Sequence, residues 1–90
     1  MRTPDSRKRE LTVRQQFFSR VLAEVERAYR KHGRKRWGRH EFYAIIKEEL
    51  DEVWDNIRHD GSRKELEKEI IQVVAMALRY METGDRYGHK

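Results

Sequence analysis

The sequence predicts an all-α protein, an antiparallel helical bundle of three helices per chain that is completed by oligomerisation. Apolar residues recur at helical spacing in three segments, and glycine-containing connections separate them. The connection between the second and third segments is short, which favours antiparallel packing of those two helices. Of the 90 residues only 37% are hydrophobic and 41% are charged, so one chain can bury little core. No cysteine is present to supply disulfides. We therefore expect self-association to enlarge the core.

The predicted first helix runs from about Thr12 to His32 and opens the helical domain, which we place at residues 11–84. Gly33 suits the left-handed position just past its end. Residues 1–10 are expected to form a flexible basic tail and residues 85–90 a short C-terminal tail. The apolar face of this helix is predicted to contain Phe17, Phe18, Val21, Leu22, Val25, Ala28 and Tyr29.

Residues 33–40 connect the first two helices and are dense in cations. One interpretation is a solvated linker whose Trp37 folds back onto the core. The other is a phosphate-binding loop, in which arginine side chains hold phosphate oxygens and the tryptophan stacks on a base. The residues alone leave both interpretations open.

The second helix is predicted from about Arg39 to Arg58, and it carries most of the acidic residues of interest. Tyr43 and Trp54 flank its apolar stripe, and we expect both to lie in the core, as large aromatic residues on an apolar face usually do. On the opposite flank Glu49 and Glu52 are one helical turn apart. The stripe itself is predicted to be Phe42, Ile46, Leu50, Val53 and Ile57.

The third helix is predicted from about Arg63 to Glu82. Asp60 and Gly61 are typical of a turn, and Ser62 with Glu65 forms a capping-box pattern at the helix start. Its apolar stripe is predicted to be Leu66, Ile70, Val73, Val74, Ala77 and Met81.

Acidic residues on the second and third helices suggest a metal site. Glu69 and Gln72 are also one turn apart, so antiparallel packing would bring them towards Glu49 and Glu52. Oxygen ligands of this kind suit Mg²⁺ or Mn²⁺. The alternative is a solvated helix face, because charged helices often carry such clusters by chance. Four acids at positions 48, 49, 51 and 52 repel one another, and a bound cation would explain them better than helix stability does.

The pattern E-E-x-x-E at Glu48, Glu49 and Glu52, followed on the next helix by E-x-x-Q at Glu69 and Gln72, resembles the all-α nucleotide pyrophosphohydrolases. This superfamily includes the MazG-like proteins, the dimeric dUTPases and the phosphoribosyl-ATP pyrophosphohydrolases. The similarity covers roughly residues 37–80 and includes Trp37 and His40 ahead of the first motif, as well as residues 53–57 after it. It implies Mg²⁺-dependent hydrolysis of a nucleoside triphosphate to the monophosphate and pyrophosphate. It also implies a homodimer or a tetramer.

The resemblance assigns roles to individual residues. Glu49, Glu52 and Glu69 match metal ligands, and Gln72 stands where the family has aspartate. An amide can coordinate Mg²⁺ but brings no charge, so weakened or lost activity is expected. Glu48 or Glu52 would act as the catalytic base that deprotonates the attacking water. The substrate-binding candidates are Lys35, Arg36 and Arg39 for phosphate, and Trp37 or Tyr80 for the base.

Charge supports a second hypothesis. The net charge of +5 favours partners that carry phosphate. A non-enzymatic basic helical module could therefore bind nucleic acid or a protein through residues 30–39. No apolar run is long enough to cross a membrane, and no signal peptide is evident, so the expected compartment is the cytoplasm.

Overall fold

The computed structural model describes residues 4–84, and within that range its regular structure is entirely helical. The helices are α1, Pro4–His32, α2, Arg39–Arg58, and α3, Arg63–Thr83. The predicted all-α class is confirmed, and α2 and α3 begin at the predicted residues. Residues 1–3 and the predicted C-terminal tail, 85–90, lie outside the described residues.

Helix α1 begins eight residues earlier than predicted, so the expected boundary at Thr12 is wrong. Residues 4–10, which we expected in a flexible tail, are helical. Proline is tolerated in a first helical turn because its missing N–H would have no partner there. The Thr12 hydroxyl donates to the carbonyl of Lys8 at 3.0 Å, which is a bond of the helix interior and not of a helix start.

The two interhelical connections follow their predicted turn chemistry. Gly33 has a φ of +75°, and its N–H donates to the carbonyl of Tyr29 at 2.8 Å, so α1 ends in the left-handed conformation that glycine favours. Asp60 also has a positive φ of 54°, in a residue type that tolerates that region. The Ser62 hydroxyl accepts the N–H of Glu65 at 3.1 Å and caps α3 as predicted.

The hydrophobic core lies between α1 and α3. Val21, Val25, Ile71 and Ala75 are buried there. Half-buried apolar side chains pack around this cluster, namely Phe17, Tyr29, Val74 and Leu78. The predicted face of α1 is therefore partly right, but Phe18 and Leu22 are each 55% exposed.

Helix α2 contributes no buried residue, and its packed face differs from the predicted one. The prediction placed Tyr43 and Trp54 in the core, but they are 65% and 58% exposed. Leu50 and Ile57 of the predicted stripe are about half exposed as well. The side chains that α2 turns inward are half-buried and include two polar ones: Phe42, Ile45, Ile46, Glu49, Val53 and Asn56. The helix is thus rotated towards its acidic flank.

Helix α3 is central and packs against both other helices, whereas no Cα atoms of α1 and α2 lie within 8 Å of one another in residues 4–84. The three helices therefore form an open layer with a groove above α3, between α1 and α2. Phe42 near the start of α2 stacks on Tyr80 near the end of α3, with ring centroids 4.3 Å apart. None of the described helices is long and apolar enough to span a bilayer.

Candidate functional site

The three glutamates predicted as metal ligands converge. Glu49 and Glu52 of α2 and Glu69 of α3 each offer a carboxylate oxygen, and these three oxygens lie within 4.8 Å of one another. In an octahedral Mg²⁺ site with Mg–O bonds of about 2.1 Å, neighbouring ligand oxygens are about 3.0 Å apart and opposite ones about 4.2 Å. A small side-chain rotation would therefore bring the three oxygens to metal-binding distance.

Burial and mutual repulsion raise the pKa of the Glu49 carboxyl above its ordinary value of 4.5. Burial acts most strongly, and the charges of Glu52, Glu69 and Glu48 add to it. The pKa of Glu69 is raised for similar reasons, namely burial and a hydrogen bond with Glu52, which favours the protonated form. The metal-free cluster is electrostatically strained at neutral pH, and a divalent cation would reverse the sign of that interaction.

The predicted fourth ligand, Gln72, makes a hydrogen bond towards α1. Its amide nitrogen donates to Oε1 of Glu24 on α1 at 2.9 Å. The Glu24 carboxylate also accepts from the Arg27 guanidinium, which is the main reason that its pKa lies below 4.5. Gln72 therefore links α3 to α1 through a charged pair.

The groove above α3 contains a cavity of about 380 Å³ that borders this cluster at Glu49. All three helices and the α1–α2 connection contribute to its wall. Its apolar lining comes from Ala28, Ile45, Ala75 and Met76, together with Trp37. The polar lining has three cations and two carboxylates and consists of Glu24, Arg27, His32, Lys35, Glu49, Gln72 and Arg79.

Three side chains that line this cavity have a buried polar atom with no hydrogen-bond partner among the described residues. They are Nε1 of Trp37, Oε2 of Glu49 and Nε of Arg79. Buried polar atoms are nearly always paired in folded proteins, because losing water without a replacement partner costs free energy. All three side chains line one cavity, where a polar ligand could supply the missing partners.

The predicted substrate-binding residues divide into two groups. Lys35 and Trp37 line the cavity, whereas Arg36 and Arg39 are exposed and Tyr80 stacks against Phe42. Trp37 is only 7% exposed, and the guanidinium of Arg79 lies over its ring, 4.7 Å from the centroid. The Trp37 ring is therefore closed to base stacking, and one face of the Tyr80 ring is covered by Phe42. The predicted catalytic candidate Glu48 is exposed at the outer edge of the acidic cluster.

Sequence analysis missed Glu24, Arg27 and Arg79. Each is an ordinary charged residue in a helix, and only the packing of α1 on α3 brings them to the cavity. A signal for Arg79 does exist, since it follows Gln72 and Met76 on one face of α3 and interrupts a largely apolar segment, residues 70–81.

Comparison of the chain with family models, curated proteins and solved structures found no match in any of the three. The resemblance to the nucleotide pyrophosphohydrolases therefore stays a prediction that depends on the motif residues themselves.

Proposed function

We propose that this protein is a Mg²⁺-dependent nucleoside triphosphate pyrophosphohydrolase of the MazG-like type, with activity reduced by Gln72. The observation that carries the proposal is the convergence of Glu49, Glu52 and Glu69 within 4.8 Å. Their oxygen-only chemistry suits Mg²⁺ or Mn²⁺, which share their coordination between protein, water and phosphate.

The raised pKa values of Glu49 and Glu69 support this assignment. Like charges held close together lower the free energy of unfolding. In a metal site this destabilisation is present only without the cation, because a bound cation attracts the same carboxylates. Bound Mg²⁺ would offset charge on the phosphates and lower the pKa of a nearby water.

Side chains of this protein would carry out proton transfer and phosphate binding. Glu48 or Glu52 would accept the proton of the attacking water, because both lie at the open edge of the cluster. Attack on the α-phosphorus forms the new P–O bond, and the bond to the bridging oxygen breaks to release pyrophosphate. Lys35 lines the adjacent cavity, with its ammonium near the carboxylate of Glu41 at 3.8 Å, and would attract the phosphates.

Loss of the fourth acid predicts weak catalysis. Gln72 has no charge to offer a cation, and its amide nitrogen donates to Glu24 on α1. Three carboxylates still bring three negative charges against the two positive charges of one Mg²⁺ ion. Metal binding is therefore expected to survive better than turnover.

Assembly into a homodimer or tetramer with antiparallel α2 and α3 is part of the same proposal. The contact of Phe42 with Tyr80 and that of Glu52 with Glu69 support the antiparallel arrangement. The exposed apolar side chains of α2, together with an open layer in which α1 and α2 do not meet, support a partner surface. The cytoplasmic location stays a prediction.

The test is pyrophosphate release from a panel of ribo- and deoxyribonucleoside triphosphates with Mg²⁺ or Mn²⁺. We expect slow, metal-dependent release that disappears in the Glu49→Gln/Glu52→Gln double variant. Glu26 is exposed on α1, so Glu26→Gln serves as a control for the loss of a carboxylate outside the cluster. Release that persists in the double variant would contradict the assigned site, and no release from any triphosphate would contradict enzymatic activity.

A second candidate function is a basic module that binds nucleic acid. It is favoured by a continuous exposed set of cations around the end of α1, which includes Arg30, Lys31, Arg34, Lys35 and Arg36. Binding of this kind needs no metal, and its affinity falls steeply with salt. Measuring affinity for single- and double-stranded oligonucleotides between 50 and 200 mM salt, with EDTA present, separates the two functions.

A further inference from the structure

The cavity holds a second set of unpartnered polar groups that the acidic cluster does not use. Nε1 of Trp37 and Nε of Arg79 are both N–H donors, both are buried, and neither has a partner among the described residues. The two side chains touch, since the Arg79 guanidinium lies 4.7 Å from the centre of the Trp37 ring. Both side chains also line the cavity.

The surrounding charge decides what those donors would accept. Arg27, Lys35 and Arg79 line the cavity, and of its two carboxylates that of Glu24 is held by Arg27. A neutral acceptor such as a carbonyl could pair with the indole N–H but would add no charge opposite the guanidinium, with which Glu24 interacts only through space because its hydrogen bonds go to Arg27 and Gln72. An oxyanion satisfies both donors and the charge together.

We propose that this cavity is a metal-independent oxyanion subsite that takes a phosphoryl group on the N–H donors of Arg79 and Trp37, with Lys35 at its mouth. Apolar side chains of Ala28, Ala75 and Met76 form the wall beside these donors. Because the two donor atoms are buried, a charge-assisted hydrogen bond to them is stronger than one at the surface. Assigning the phosphoryl group to a nucleoside triphosphate rests on the proposed function, but the subsite itself does not.

The two tryptophans allow a direct test by ¹H–¹⁵N NMR of the full chain in EDTA. Trp37 is 7% exposed and lines the cavity, whereas Trp54 is 58% exposed and does not. Titration with inorganic phosphate and then tripolyphosphate is expected to shift the Trp37 indole N–H resonance saturably and to leave that of Trp54 in place. A Trp54→Phe variant assigns the two resonances. Acetate at equal ionic strength tests whether carboxylates bind as well.

Single substitutions test whether the phosphate-induced shift of the Trp37 resonance depends on the proposed subsite residues. Arg79→Gln is expected to weaken binding at least tenfold, and Lys35→Gln about threefold, because a buried charged hydrogen bond contributes about 1.5–3 kcal/mol and an exposed one less. Arg14 is exposed and lies about 15 Å before Glu24 along α1, so Arg14→Gln controls for net charge. Lys35→Gln changes an exposed side chain and keeps the test valid if Arg79→Gln does not fold.

Each outcome decides the proposal. A Trp37 shift that Arg79→Gln or Lys35→Gln reduces and Arg14→Gln does not supports the subsite. No saturable shift, equal shifts at both tryptophans, equal effects of the Arg14 control, or tighter binding of acetate than of phosphate would overturn it. An active pyrophosphohydrolase without a phosphate response in EDTA overturns this subsite alone. A phosphate response without metal-dependent turnover overturns the proposed enzyme and leaves the subsite standing.

Discussion

Replacing Glu49 with glutamine should stabilise the metal-free protein, although a half-buried native carboxylate is being removed. Glu49 faces two like charges, Glu52 one turn away on α2 and Glu69 on α3, and its Oε2 has no partner among the described residues. Each repulsive contact on a helix costs about 0.2–0.5 kcal/mol. An amide can also donate a hydrogen bond to one of the remaining carboxylates, which contributes about 0.5–1.5 kcal/mol.

Together these effects predict a gain of at least about 1 kcal/mol at pH 7. A gain of that size raises the Tm of a domain this small by about 4–8 °C. The same substitution should remove the response to metal. For the native protein, Mg²⁺ at ten times its Kd adds about 1.4 kcal/mol, or about 6–11 °C. Glu49→Gln should show little or no such shift.

The assay is a thermal melt followed by circular dichroism, with EDTA or with Mg²⁺, at constant ionic strength. Glu26→Gln removes the same charge from an exposed position on α1 and should change neither Tm. The reasoning is refuted if Glu49→Gln lowers the Tm in EDTA, because Glu49 would then be stabilising through contacts that do not involve a cation. It is equally refuted if the Mg²⁺ shift survives the substitution.

The remaining predictions concern pH, the fourth ligand position and assembly. Because the folded-state pKa values of Glu49 and Glu69 lie above 4.5, their ionisation opposes folding, so the Tm advantage of Glu49→Gln in EDTA should be absent below pH 4 and grow as pH rises through the raised values. An advantage that is constant between pH 3.5 and 7 would contradict this. Gln72→Asp should lower the Tm in EDTA, because it places a like charge beside Glu24, and should enlarge the Mg²⁺ shift; an unchanged shift would remove position 72 from the site. Trp54→Glu should reduce the mass seen by sedimentation equilibrium to the monomer value of 11.0 kDa while helicity is kept, whereas a native protein that is already monomeric would contradict the assembly.

Residues with a specific preference for helix ends predicted the end of α1 and the start of α3 correctly. Gly33 and Ser62 both lie at the helix ends that their chemistry favours. The predicted start of α1 at Thr12 was wrong. A threonine that precedes an apolar segment is typical of a helix start, but the Thr12 hydroxyl makes its hydrogen bond within the helix. A hydroxyl can serve either purpose, and the sequence does not distinguish them.

The orientation of α2 could not be predicted from its apolar pattern. A hydrophobic stripe indicates which face avoids water, but it does not say whether the partner is the same chain or another one. Here the packed face includes Glu49 and Asn56, while Trp54 and Leu50 are left exposed. The convergence of Glu49, Glu52 and Glu69 was predictable because i, i+3 spacing on neighbouring helices constrains it.

The cavity was beyond prediction for a different reason. Its key donors, Trp37 and Arg79, are separated by 42 positions and meet only because the α1–α2 connection folds over the end of the groove. Charged residues such as Arg79 are common on helices, and sequence position alone does not reveal that a guanidinium nitrogen is buried without a partner.

The central claim is that Glu49, Glu52 and Glu69 hold a divalent cation, and Mn²⁺ binding followed by electron paramagnetic resonance tests it most directly. Free Mn²⁺ gives a strong signal that bound Mn²⁺ loses, so binding is counted without any assumption about substrate. We predict saturable binding to the native protein, competition by Mg²⁺, and loss of the site in Glu49→Gln/Glu52→Gln but not in Glu26→Gln. A native protein that leaves the Mn²⁺ signal unchanged, or a double variant that binds as the native protein does, would contradict the account.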